Sequence, residues 1–309
     1  MHRLISKLAK LLATLTLMIA APAWSQSEAP ALIMDHVYVN QDDGPVSHVR
    51  ILGPEGGRPD RWVALVPSLG RGVEDFLPVF GSSLAQDLAR RGFGVLLIQP
   101  RGIGQSTGTL NAKSTTMELL SGDMLKVIDA FGIPKVSLVG HAFGNRLSRY
   151  FSATQPDRVE ALVLLAAGGD FELSKEQRDC LLGSFNPSSS DEERLTAIAC
   201  AFFAKGNDPS VWLEGWHPAL AMAQANAALS VASDEFKRAG GVPFLLVQPE
   251  QDFIAPRELA GQALKQELGD QVTYVEVKDA GHALLPEQPE ELARIVGDYL
   301  DQRTAEAAN

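Results

Sequence analysis

Cations are scarce in this sequence. Its 27 Lys and Arg face 38 Asp and Glu across 309 residues, for a formal charge of −11, and a surface so acidic repels phosphate backbones and anionic lipid. Nucleic acid is therefore not an expected partner. Metal-binding patterns are missing as well: no spacing among the six His, the two Cys and the acids fits a zinc site, so no metal is expected. Also absent are an internal repeat, a GxGxxG string and a P-loop Lys. The glycines of RGIGQSTG come nearest to a phosphate-cradling loop but read as turn glycines, so no cofactor is expected. Nor is the composition extreme. With 45% hydrophobic and 21% charged residues, 27 Gly and 18 Pro, a disordered, collagen-like or coiled-coil chain is excluded. At roughly 150 residues per domain, the length allows two domains or one α/β domain with an insertion.

Long apolar runs are lacking too, apart from Leu11 to Ala21 near the start. That run is about half the roughly 20 residues a transmembrane helix needs. Arg3, Lys7 and Lys10 precede it, small residues sit at Ala21 and Ala23, and the first 25 residues hold no acid. This three-part pattern reads as a secretory signal peptide over residues 1–25, cut after Ala23 or Ser25. An exported protein, periplasmic or secreted and without stable membrane insertion after cleavage, is the expectation, with an uncleaved anchor as the alternative. No Cys follows the run to accept a lipid. Export would place Cys180 and Cys200 in an oxidising compartment, where a bridge would close a loop of about 20 residues. Two buried thiols are the other reading of that pair.

What remains is strongly patterned. Met34 to Asn40 and Val46 to Leu52, parted by the turn residues QDDGP, read as an antiparallel hairpin at a sheet edge. Short apolar runs follow at Val63 to Val66, Val95 to Ile98, Val136 to Val139, Ala161 to Leu165, Phe244 to Val247 and Val272 to Val277. Such runs without alternation suit strands buried on both faces. Helices are expected between them at Phe76 to Arg91, Thr116 to Phe131 with a capping box at Thr115 and Glu118, Phe143 to Gln155, Pro256 to Leu268 and Pro289 to Asp301. Strand alternating with helix gives an α/β fold: a mostly parallel central sheet with helices on both faces. Residues 26–169 and 241–309 form this core. Residues 170–240 are too long for a loop and read as a helical cap insertion.

The strand Val136 to Val139 runs straight into Gly140-His141-Ala142-Phe143-Gly144 and then a helix. GHAFG resembles the GxSxG nucleophile elbow of the α/β-hydrolases, a tight strand-to-helix turn that presents its central side chain above the sheet. PFLLVQPEQDFIAP resembles the segment carrying that family's acid, which implies Asp252, and DAGHALLPEQPEE resembles the one carrying its histidine, which implies His282. Elbow, acid, histidine is the family's chain order. LVPSLGRGVEDF resembles the loop that supplies half of the oxyanion hole, implying the backbone N–H groups of Leu69 and Phe143 as donors, although Pro67 and Ser68 replace the usual His-Gly pair. QPRGIGQSTG and QPDRVEALVLLAA also read like the family, and the resemblance spans residues 35 to 300.

At the nucleophile position itself the sequence departs from the family, for Ala142 stands where Ser, Asp or Cys is expected. A methyl group cannot attack a carbonyl, so the covalent route is closed there. Three accounts compete. In the first, His282 oriented by Asp252 is a general base on water or on an acidic substrate, with backbone donors for the oxyanion. In the second, the pocket is kept for binding without catalysis. In the third, a serine was replaced artificially, or the nucleophile is displaced, with Ser68 the nearest hydroxyl; the plain reading of Ser68 is a loop hydrogen bond. The expected ligand is a small apolar molecule with a carbonyl or acidic group, and Phe202, Phe203, Trp212 and Trp216 either line its pocket or hold the cap on the core. Among the remaining candidates, Asp170 reads as a helix cap rather than an alternative acid, Glu250 as a solvated charge and His141 as pointing away from the site. His36, His48 and His217 read as surface residues.

Overall fold

The computed structural model describes residues 31–111 and 115–307; the expected leader lies outside them. Eight strands form one sheet: β1 (Leu32–Asn40), β2 (Val46–Pro54), β3 (Arg61–Val66), β4 (Phe93–Ile98), β5 (Val136–His141), β6 (Val159–Leu165), β7 (Phe244–Pro249) and β8 (Val272–Val277). Their spatial order is β1-β2-β4-β3-β5-β6-β7-β8. β1 and β2 pair antiparallel, as β2 does with β4, and every later pairing is parallel. The hairpin thus forms one edge, as its turn chemistry predicts.

The helices are α1 (Leu84–Arg90), α2 (Met117–Ala130), α3 (Phe143–Thr154), α4 (Lys175–Ser184), α5 (Asp191–Phe202), α6 (Pro218–Leu229), α7 (Ser233–Phe236), α8 (Gly261–Leu268), α9 (Leu284–Glu287) and α10 (Pro289–Ala307). The unbroken apolar runs are explained by two cores. Trp62, Ala64, Leu138, Leu162 and Leu164 point to one face, where α2, α3 and α8 pack. Val63, Leu65, Val139, Val163 and Leu165 point to the other, against α1 and α10. Adjacent strand residues face opposite sides, so burial on both sides demands apolar residues throughout. The outer strand β8 departs from that reading: between buried Val272 and Val277 its residues are half-exposed or exposed.

Three helix expectations need correcting. Phe76 to Arg91 is not one helix: two single 3₁₀ turns, Val73–Phe76 and Pro78–Phe80, precede α1. Pro78 removes a donor and Gly81 turns left-handed at φ 82°, which together stop a continuous α-helix. Likewise only Gly261–Leu268 of the expected Pro256 to Leu268 is helical. The cap of α2 is Thr116, whose side chain accepts from the Leu119 N–H, while Thr115 accepts from Asn111 N–H.

Between β6 and β7, residues 170–240 carry α4 to α7 and no strand. Cys180 on α4 and Cys200 on α5 are joined in a disulfide, Cα atoms 5.8 Å apart. This helical cap sits on the core through a buried cation. Arg71, from the loop after β3, is fully buried, pairs with Asp75 at 2.6 Å and donates to the Glu214 carbonyl. Its guanidinium lies 4.6 Å from the ring centroids of both Trp212 and Trp216 and 4.9 Å from that of Phe80, a cation–π cage that a strongly hydrated ammonium would not match. Among the described residues, no helix is long and apolar enough to cross a membrane.

Candidate active site

Ala142, Phe143, Leu69, Asp252 and His282 gather beyond the carboxyl ends of β3, β5, β7 and β8. β5 ends at His141, the chain reverses at Ala142, and α3 begins at Phe143. Ala142 has φ 50° and ψ −110°, a left-handed backbone that an alanine adopts only at a cost of roughly 1–3 kcal/mol. The turn is held by Ala142 N–H to the Leu165 carbonyl at 3.0 Å and Asn145 N–H to the Ala142 carbonyl at 3.1 Å. Both flanking glycines are sterically required: a Cβ on Gly140 would lie 2.4 Å from the Gly144 carbonyl oxygen, and one on Gly144 2.1 Å from that of Val66. The elbow geometry therefore persists without a nucleophile on it.

Asp252, on the loop after β7, and His282, on the loop after β8, are both buried. His282 Nδ1 donates to the Asp252 carboxylate, 2.9 and 3.0 Å from its two oxygens. Asp252 Oδ1 also accepts from Ala255 N–H at 2.7 Å, which fixes the carboxylate. With Nδ1 so occupied, the basic lone pair lies on Nε2, which meets no protein partner among the described residues. Beneath it, the fully buried His141 donates its Nε2 proton to the His282 carbonyl at 2.8 Å. Its own Nδ1 is buried and unpaired among the described residues, and burial pushes the ring's pKa down to about 3, so it stays neutral. His141 does not line the cavity, in keeping with the expectation that it points away.

The cap supports the same loops. Glu287 accepts from Ala204 N–H and Asn207 of the cap and from Gly281 N–H beside His282, each at 2.7 Å. Burial raises its pKa. Gly70 N–H donates to Gln224 Oε1 on α6 at 2.7 Å, and the Gly70 carbonyl accepts from His217 N–H at 2.8 Å. Leu69, one position earlier, is thereby placed by the cap. Neither Gln224 nor Glu287 carries any sequence signal beyond its residue type.

A cavity of about 480 Å³ opens over the elbow, lined by Ser68, Leu69, Ala142, Phe143 and His282 together with a mostly apolar wall from α4, α6 and the cap. Among the described residues neither the Leu69 nor the Phe143 N–H meets a protein acceptor. Among the described residues the Ser68 hydroxyl does not make the expected loop hydrogen bond, and none joins it to His282. Of the four cap aromatics, Phe202 lines the cavity, whereas Phe203, Trp212 and Trp216 pack around Ile198, Ala201 and Ala283 and hold the cap down. Arg146, one turn along α3 from Ala142, also lines the cavity; counting four residues along the expected helix would have found it.

Several expectations fail here. Asp170 caps no helix: Ser174 caps α4, in a reciprocal box with Gln177, and Asp170 accepts from Ser233 Oγ at 2.9 Å. Glu250 is half-buried and accepts from Asp279 N–H. His48 is buried rather than on the surface, 2.9 Å from exposed His36, and His217 is half-buried.

A family model for the alpha/beta hydrolase fold matches residues 62–186. The enol-lactonase of Burkholderia xenovorans superposes with a TM-score of 0.68 over 86% of this chain and 100% of that one, at 21% identity. The chain has the α/β-hydrolase fold. Epoxide hydrolase 2 of Siraitia grosvenorii is 35% identical over 79 residues, 26% of this chain and 25% of that protein. Bifunctional epoxide hydrolase 2 of Mus musculus is 33% identical over 78 residues, 25% of this chain and 14% of that protein. The chain thus spans a quarter or less of the length of these two epoxide hydrolases, and at 21% identity the enol-lactonase shares a fold.

Proposed function

We propose that this α/β-hydrolase protein acts on a small, largely apolar carbonyl or ester compound by general-base chemistry, without a serine nucleophile. His282 Nε2 takes a proton from a water molecule, the resulting hydroxide attacks the carbonyl carbon, and the Leu69 and Phe143 N–H groups receive the negative oxygen. Collapse breaks the bond to the leaving oxygen, which takes the proton back from His282, so that no covalent enzyme intermediate forms. Asp252 holds the ring in the required tautomer. Abstraction of an acidic substrate proton by the same base is the variant that needs no water.

The observation that supports this reading most is the pairing of His282 Nδ1 with the buried Asp252 at 2.9 Å, which leaves Nε2 on a cavity with two backbone N–H groups. The same cavity also suits a binding protein without turnover, favoured by the methyl group of Ala142. The test is hydrolysis of a panel of short and medium acyl esters by the mature protein and by His282→Ala. Loss of turnover with His282→Ala, with ligand affinity retained, supports the base. A native protein inert on the whole panel that still binds its ligands supports the second reading. Export to an oxidising compartment accompanies either reading, supported by the Cys180–Cys200 bridge. N-terminal sequencing of exported material tests it, and a start at Met1 would overturn the leader.

A further inference from the structure

Two arginines line the cavity without an ion pair among the described residues: Arg178 on α4 is exposed and donates to the Leu173 carbonyl, whereas Arg146 is half-buried. Arg146 rises from α3 into the wall beside Ala142 and His282, its Nη2 lying 3.4 Å from where a Cβ on Gly168 would stand. Among the described residues its guanidinium makes neither a hydrogen bond nor an ion pair. Two buried arginines away from α3 differ: Arg71 is paired with Asp75, and Arg101 with Asp43 and Asp123. The acid whose field reaches Arg146 is Asp170, which lies beyond ion-pair distance and is engaged by Ser233. Glu172, on the cavity wall, is exposed and forms no ion pair among the described residues.

One turn further along α3, Arg149 is buried with no carboxylate partner. Its Nη2 donates to Asn145 at 3.0 Å, its guanidinium lies 5.3 Å from the Phe236 ring centroid, and its Nε is unpaired among the described residues. Burial lowers the pKa of Arg146, and burial with the neighbouring Arg146 pushes that of Arg149 down to about 9. Scarcity of acids does not explain this, since the chain carries 38 of them. An unpaired, largely desolvated guanidinium is unfavourable in the empty protein, and a planar fork of donors matches a carboxylate in two-point contact.

The geometry points to a carboxylate subsite: the substrate is an apolar carboxylic acid whose anionic end meets Arg146 while its reactive carbonyl reaches the Leu69 and Phe143 N–H groups. Arg146 is then the specificity-determining residue of the cavity. This deepens the reading of the site under His282 and rests on it for the position of the carbonyl, but its test does not depend on turnover. The series phenylacetate to 5-phenylpentanoate is titrated calorimetrically against the matching uncharged amides, on the native chain and on His282→Ala. At least one acid should bind about tenfold to a hundredfold more tightly than its amide, the range expected of a charge-assisted contact, with the preference shrinking as salt rises.

In Arg146→Gln that preference should fall to about one, and in Arg146→Lys it should survive in part. Ligand-free Arg146→Met should melt no lower than the native chain, because an unpaired charge is removed; a purely structural arginine would give the opposite shift. Absence of a preference for every acid, including absence of binding by both members of every pair, overturns the subsite. So does a preference that survives Arg146→Gln. If the preference behaves as expected while His282→Ala leaves ester turnover intact, the general-base reading fails and the subsite stands.

Discussion

The imidazole of His141 donates its Nε2 proton to the main-chain carbonyl of His282, 2.8 Å away. The residue next to the elbow thus holds the loop that carries the proposed base, and the two rings lie 5.5 Å apart, centre to centre. A charged His141 would strand a second proton on a buried Nδ1 with no acceptor among the described residues.

This has a consequence for stability against pH. His141 has a folded pKa of about 3, below the 6.5 of an unfolded histidine. Between those values the unfolded chain binds a proton that the folded chain does not, so stability rises with pH there and is lost as pH falls. Denaturant unfolding of the native chain should steepen below pH 6.5 by up to about 1.4 kcal/mol per pH unit relative to His141→Asn. Equal slopes for the two proteins would remove His141 from this role. At pH 7.5 the variant should retain the fold but lose turnover, as the His282 loop relaxes.

Much of the sheet was legible because strands β3 to β7 repeat one physical requirement, burial on both faces, and a candidate site was legible because three short segments in order each place one group. Legibility ends where tertiary contacts decide. Thr116, not Thr115, caps α2 because the chain geometry, not the local string, selects the hydroxyl. Gln224 and Glu287 act only through the packing of α6 and α9 against the loops they hold, and His48 is buried because the loop after β4 covers it, where Ser106 Oγ accepts from the His48 N–H. The bond between Cys180 and Cys200 needed the antiparallel approach of α4 and α5 to be seen.

Placement of Leu69 by the cap can be probed at Gly70. Its φ is +65°, and a Cβ there would stand 2.6 Å from that of Ala221 on α6. Gly70→Ala should therefore destabilise by about 1–3 kcal/mol through strain and overpacking, and lower kcat/KM on any ester substrate by shifting the Leu69 N–H. Gln224→Leu, which removes the acceptor for Gly70 N–H without the clash, should cost about 1–3 kcal/mol for the unpaired buried donor. Unfolding curves paired with steady-state kinetics read both. Kinetics unchanged in both variants would show that the donor loop stands without the cap.

The Cys180–Cys200 bridge closes a loop with a sequence separation of 20 residues, worth about 3 kcal/mol in the chain-entropy model. Leu181 and Arg178 on α4 and Phe202 at the end of α5 line the cavity, so opening the bridge should loosen the wall as well as lower stability. Intact mass should rise by the two hydrogens of a reduced bridge only after reductant, and the Cys180→Ser, Cys200→Ser double variant should melt earlier and bind apolar acids more weakly. A mass indifferent to reductant would remove the bridge.

Ala142→Ser is the most informative single change. The elbow already holds its central residue at φ 50°, and Ala142 shares the cavity with His282, so a hydroxyl added to that Cβ enters a turn built to present it. With Asp252, His282 and the Leu69 and Phe143 N–H groups in the roles proposed for them, a nucleophile added at this position should raise ester hydrolysis by two or more orders of magnitude, given that removing one from a working triad costs about 10⁴ or more. A burst of acyl-enzyme, absent from the native chain, should accompany the gain. If the native chain is inert and the variant active, the donors and dyad are competent and the natural ligand is bound without hydrolysis or transformed by proton abstraction. If the native chain is active and the serine slows it, the space above the alanine methyl is where water attacks, and the hydroxyl has displaced it.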